Sequence, residues 1–163
     1  KMKENLIFKA GDINRLEDVF KLYVDARKTK GCTWTEEYPT KEIIKNDILR
    51  GDSFVIVNKK NNEIIAAISI DDDKLVEEQK CWSKELKPAG GLVIAEEYRG
   101  NGLAGNLIQG AMENLQKRKY KGVHYLVSPN NANALRAYKK MEFNDCGRIF
   151  LYDHEWICYE RGI

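Results

Sequence analysis

The sequence has no apolar run near the roughly 20 residues a membrane span needs, so no membrane association is expected. Its charges almost cancel. Lys and Arg number 27 against 25 Asp and Glu, a formal net charge of +2, and this excludes the strongly basic balance of a nucleic-acid binder. Histidine is scarce, with only His124 and His154. The four cysteines, Cys32, Cys81, Cys146 and Cys158, contain no C-x-x-C pair and no zinc spacing, so no metal is expected. They read as reduced thiols, and with no signal-peptide pattern at the start a cytoplasmic location is expected. There are three prolines and no linker, repeat or low-complexity tract, so residues 1–163 are expected to form one domain.

What is present is an alternation of strand and helix patterns. Leu6–Phe8 opens as a strand. Asp12 is a plausible N-cap for a helix carrying Ile13, Leu16, Val19, Phe20 and Tyr23 at helical spacing. Thr40 caps a second helix running to about Arg50. "SFVIVNKKNNEIIAAISI" reads as a hairpin around the polar turn Lys59–Asn62. "GGLVIA" is a strand. The strongest helix follows it, with Leu103, Ala104, Leu107, Ile108, Ala111, Met112 and Leu115 in one apolar stripe. "GVHYLV" is a strand, "NANALRAYKKM" a helix and "RIFLYDHEWICYE" a closing hairpin. His124 falls inside an apolar run and His154 in a polar turn, and both read as structural.

Between the strand "LVIA" and that helix lies "YRGNGLAG", residues 98–105. The free N–H groups of a helix's first turn and the positive end of its dipole make an anion site. Glycines let the backbone approach phosphate closely, and Arg99 adds a cation. Gly100-x-Gly102-x-x-Gly105 also has dinucleotide spacing. That reading requires a carboxylate about 20 residues on, at the end of the next strand. The strand ends instead in Ser128, Pro129, Asn130 and Asn131, and too little chain follows for a second nucleotide-binding half. A pyrophosphate is expected, but not that of NAD.

The motif Arg99-Gly100-Asn101-Gly102-Leu103-Ala104, followed by Asn131-Ala132-Asn133-Ala134-Leu135-Arg136-Ala137-Tyr138, resembles the GNAT superfamily of acyl-CoA N-acyltransferases. The resemblance runs from the first strand to the last. It implies an α/β (α+β) fold with a mixed, mostly antiparallel sheet flanked by helices, about four in number. It also implies splayed central strands that cradle acetyl-CoA as co-substrate. Arg99 to Gly105 would hold the coenzyme A pyrophosphate, and Asn131 and Tyr138 the pantetheine and thioester. Backbone amides at Leu92 to Ile94 would polarise the carbonyl. Tyr138 would be the acid that protonates the leaving thiolate; on helical spacing alone it reads as packing. Two positions depart from the family pattern. Glu142 stands where a glycine usually ends the tyrosine helix, and Glu96 where a proline usually precedes the loop.

Acyl transfer to an amine also needs a base, because an alkyl ammonium with pKa near 10.4 keeps its proton at pH 7. No motif assigns one. Glu36, Glu37 and the acidic stretch from Asp71 are candidates, and a water chain is an alternative. By the same resemblance, "GCTWTEEYP" and "DDDKLVEEQKCWSKELKP" wall the acceptor site. The second is long for a structureless connection, which favours a small helix or a function. Trp34, Tyr38 and Trp82, with Glu36 and Glu37, suit a cationic amine. The expectation is an N-acetyltransferase acting by direct transfer in a ternary complex, as a monomer or homodimer. The alternative is a non-catalytic acetyl-CoA sensor on the same fold.

Overall fold

The computed structural model describes residues 2–28, 32, 34–96 and 103–163. In chain order the elements are β1 (Leu6–Ala10), α1 (Leu16–Ala26), α2 (Lys41–Leu49), β2 (Ser53–Asn58) and β3 (Glu63–Asp71). Then follow α3 (Lys74–Glu77), β4 (Ala89–Glu96), α4 (Leu103–Lys117), β5 (Gly122–Val127), α5 (Ala132–Lys140), β6 (Asn144–Leu151) and β7 (His154–Gly162). The local chemistry explains the boundaries. Thr40 Oγ1 accepts from the Ile43 amide at 3.2 Å and starts α2. Asn131 Oδ1 accepts from the Ala134 amide at 3.2 Å and starts α5. Asp12 caps a single 3-10 turn, Ile13–Arg15, which leads into α1 rather than belonging to it. The long acidic connection after β3 holds the four-residue helix α3, capped by Asp73.

Among the described residues seven strands form one sheet in the order β1-β2-β3-β4-β5-β7-β6. All neighbours are antiparallel except β4 and β5, joined through α4 as a parallel pair requires. Alternation along β2 sends Phe54 and Ile56 to one face and Val55 and Val57 to the other. The first face packs on Leu107, Ile108, Ala111 and Leu115 of α4 and on Tyr138 of α5; the second packs on Val19, Tyr23 and Ile44 of α1 and α2. Both faces are therefore covered, which is why β2 and β3 read as nearly continuous apolar runs. Among the described residues no helix is long and apolar enough to cross a membrane.

The position of the missing family glycine is resolved here. Glu142 adopts the left-handed conformation, φ 62°, after the end of α5. The Phe143 amide donates back to the Tyr138 carbonyl at 3.1 Å, closing the helix as a glycine would.

Candidate active site

Strands β4 and β5 pair for only three residues. The ladder runs Ala89 to Gly122, Gly90 to Val123 and Gly91 to His124, and then stops. Beyond that point Leu92 to Glu96 stay bonded to β3 while Tyr125 to Val127 stay bonded to β7. The sheet opens as a V whose inner edges have lost their ladder partner. Two glycines sit at its apex for steric reasons. A Cβ on Gly90 would lie 2.7 Å from Leu115 Cδ1 of α4, and one on Gly91 would lie 3.1 Å from His124 Nε2.

A cavity of about 560 Å³ fills the V, within the usual range for small-ligand sites. Leu92, Val93, Tyr125 and Leu126 line its inner edges. Trp34, Thr35, Glu37 and Tyr38 wall it from the connection before α2, and Asp71, Asp73, Val76 and Glu77 from the end of β3 and α3. Tyr152, His154 and Trp156 of the closing hairpin complete it.

The wall is anionic, with four carboxylates and no lysine or arginine among its described residues. Burial, followed by the charges of Asp73 and Asp72, raises Asp71 above the usual carboxylate range. The Tyr38 hydroxyl points at Asp71 Oδ2 at 3.5 Å, and the Tyr152 hydroxyl donates to Asp73 Oδ2 at 2.5 Å. Enclosure and the nearby Asp71 carboxylate hold the Tyr38 phenol above its ordinary range. Tyr152 is pushed up to about 12 by desolvation and its bond to Asp73.

The residues singled out from sequence fall in several places. Leu92 is buried on the V, and Ile94, half-buried, follows on the same strand. Leu103, Ala104 and Gly105 form the first turn of α4. A Cβ on Gly105 would meet only Met141 Sδ, at 3.9 Å. Arg99, Gly100, Asn101 and Gly102 lie outside the described residues. Trp34, Glu37 and Tyr38 line the cavity, whereas Glu36 is exposed beside it and is not among the lining residues. Trp82 is buried behind the wall, its Nε1 donating to the Val76 carbonyl at 2.7 Å and its ring stacked on His124 at 4.4 Å.

Tyr138 is buried one ring behind the wall. It packs against Tyr125 at 4.4 Å, Phe143 at 5.2 Å and Tyr159 at 6.1 Å between ring centroids. The aromatic wall from the closing hairpin was not anticipated from sequence. Its signal is the density of rings in "FLYDHEW", which only the return of β7 beside β5 brings to the V.

Burial raises the thiols of Cys81, Cys146 and Cys158, Cys146 up to about 12. A nucleophilic thiolate at neutral pH is therefore disfavoured at these three positions. Among the described residues no group of three or more His, Cys, Asp or Glu is placed to hold a metal ion.

The model of the acetyltransferase (GNAT) family matches residues 16–143. This chain belongs to the GNAT acetyltransferase family, whose general activity is acetyl transfer from acetyl-CoA. Comparison with curated proteins gives no match. Solved structures agree in fold. The chain is similar to a GNAT-family acetyltransferase from Streptococcus agalactiae 2603, with TM-score 0.78 at 20% identity over 98% of this chain and 96% of that one. It is also similar to yncA, a putative acetyltransferase from Salmonella typhimurium with its cofactor acetyl-CoA, with TM-score 0.75 at 10% identity over 98% and 94%. A third is the ribosomal-protein-S5-alanine acetyltransferase from Vibrio fischeri, with TM-score 0.73 at 14% identity over 99% and 95%.

Proposed function

We propose that this protein is an N-acetyltransferase that moves the acetyl group of acetyl-CoA directly to a cationic amine in a ternary complex. The observation that carries this reading is the parted β4 and β5, which open on a cavity whose described wall holds carboxylates and aromatic rings but no lysine or arginine. The coenzyme's pantetheine arm lies along β4, where those amides between Leu92 and Ile94 that point away from β3 supply ladder donors to it and to the thioester carbonyl. Preorganised donors of this kind stabilise the oxyanion that forms when the amine attacks. The pyrophosphate rests at the start of α4, on the segment Arg99 to Gly105, and Asn131 helps to seat the arm. Tyr138, which stands behind Tyr125 rather than on the cavity wall, is the acid that the family resemblance offers for the leaving thiolate. The acceptor ammonium enters from the side of Trp34, Tyr38 and Trp156, whose rings and neighbouring carboxylates attract it.

The test combines binding and turnover. Acetyl-CoA raises the melting temperature by mass action and NAD does not. Putrescine, spermidine and a lysine-containing peptide are then assayed for acetyl-CoA-dependent thiol release, and the polycationic amines outpace benzylamine, whose only positive charge is the reacting ammonium. Equal shifts from both nucleotides overturn the cofactor reading. Binding without turnover of any amine favours the sensor on the same fold.

A further inference from the structure

At the apex of the V, the His124 imidazole is 2% exposed yet faces the cavity. Neither ring nitrogen has a hydrogen-bond partner among the described residues. A buried polar group left unsatisfied is costly, a cost that a purely packing residue has no reason to carry. The ring is held rather than loose. Trp82 stacks on it with an interplanar angle of 18°, and Nε2 lies 2.9 Å from Glu77 Oε1, within ion-pair distance once the ring is protonated. Gly91 is the reason Nε2 has room, since a Cβ there would stand 3.1 Å away. The next residues of β4 are Leu92 and Val93, which line the same cavity.

Resting on the acetyltransferase reading above, we propose that His124 is the general base that deprotonates the acceptor ammonium, with Glu77 as the positioning residue that stabilises the imidazolium. The ammonium N–H bond breaks and its proton goes to Nε2. The electron pair left on nitrogen forms the bond to the acetyl carbon. The adduct nitrogen gives its second proton to solvent; the carbon–sulfur bond then breaks, its electron pair leaves on sulfur, and the thiolate takes a proton from the acid Tyr138, which solvent reprotonates. The imidazolium returns its proton to solvent through the cavity mouth.

An imidazole is a stronger base than a carboxylate and is the side chain most used to accept protons near neutral pH. Other charged or titratable groups also face this ring. Glu160 lies opposite it in the β5–β7 ladder, its Oε2 accepting from the Ser83 amide at 2.9 Å. Asp71 pairs with Gly91 on β3, and Tyr38, Asp73 and His154 share the cavity.

The experiment is the pH dependence of kcat/KM between about pH 5.5 and about pH 9, a range that spans the imidazole titration. It uses acetyl-CoA and the fastest amine among putrescine, spermidine and the lysine peptide, in wild type, His124→Gln, His124→Asn, His154→Gln and Glu77→Gln. The wild type shows an acidic limb. Both His124 variants lower kcat by at least about 10²-fold, the lower end for general-base catalysis, and lose that limb while still gaining thermal stability from acetyl-CoA. His154→Gln keeps the limb. Glu77→Gln lowers kcat by less than the His124 variants and leaves KM for acetyl-CoA in place. A wild-type profile flat through the acidic range overturns the proposal without any variant. So does an unchanged limb in either His124 variant, or its loss in His154→Gln alone. Acetyl-CoA binding without turnover of any amine overturns the transferase reading, and the base with it.

Discussion

Replacing Tyr138 by Phe and by Ala separates chemistry from packing at one position. The ring is 2% exposed and touches three other aromatic rings, at 4.4, 5.2 and 6.1 Å between centroids. Phe keeps all three contacts and loses only the hydroxyl, so its stability cost is at most about 1.5 kcal/mol, the net worth of one hydrogen bond. Ala empties the site. Burial and cavity terms for a large aromatic amount to about 3–5 kcal/mol. At about 2–4 °C per kcal/mol for a chain of this size, that lowers Tm by roughly 6–20 °C. If the hydroxyl protonates the thiolate, Tyr138→Phe lowers kcat by about 10²- to 10⁴-fold, or about 2.7–5.5 kcal/mol of barrier. Affinity for acetyl-CoA barely changes, because that interaction develops only in the transition state. The assay is steady-state thiol release with thermal melts on both variants, plus a pre-steady-state run showing no burst, so that chemistry limits the rate. An unchanged kcat in Tyr138→Phe under those conditions removes Tyr138 from the reaction and leaves it as the packing ring that its helical spacing alone suggests.

Two further predictions concern the fold. Glu142→Gly relieves a left-handed conformation costing about 1–2 kcal/mol, partly offset by glycine's entropy, for a net gain of about 0.5–1 kcal/mol and a Tm rise of a few degrees; an unchanged or lower Tm refutes the strain argument. Asp47 is 5% exposed, and burial outweighs its bond to Arg50, at 2.8 Å, lifting its carboxyl to about 7. A group raised on folding stabilises fully below its unfolded pKa of about 3.9 and loses that contribution as pH rises through the folded value. The Tm difference between Asp47→Asn and wild type therefore moves in the variant's favour from about pH 4 to about pH 7 and is flat above. A gap constant with pH, or one moving the other way, would show the Arg50 ion pair to dominate.

The elements whose cause is local were legible in the sequence. Thr40 caps the helix it was expected to cap, because an N-cap is a bond between residues two or three apart. The stripe from Leu103 to Leu115 marked α4 because a helix buries one face at a fixed period. Trp34, Glu37 and Tyr38 were named as acceptor wall through the family resemblance, and they line the cavity. Trp82 shares their composition but packs behind the wall, a difference that no spacing encodes.

Only the tertiary structure decided where β4 and β5 stop pairing. That depends on β3 and β7 each holding its own neighbour, and so on contacts between residues far apart in the chain. For the same reason "VHYLV" reads as a packed strand. Nothing near His124 in sequence reveals that Glu77, Gly91 and Trp82 converge on its ring at the apex of a cavity. Local interactions write helices and caps into short windows of sequence, whereas a site assembled across a sheet exists only once the strands have found their partners.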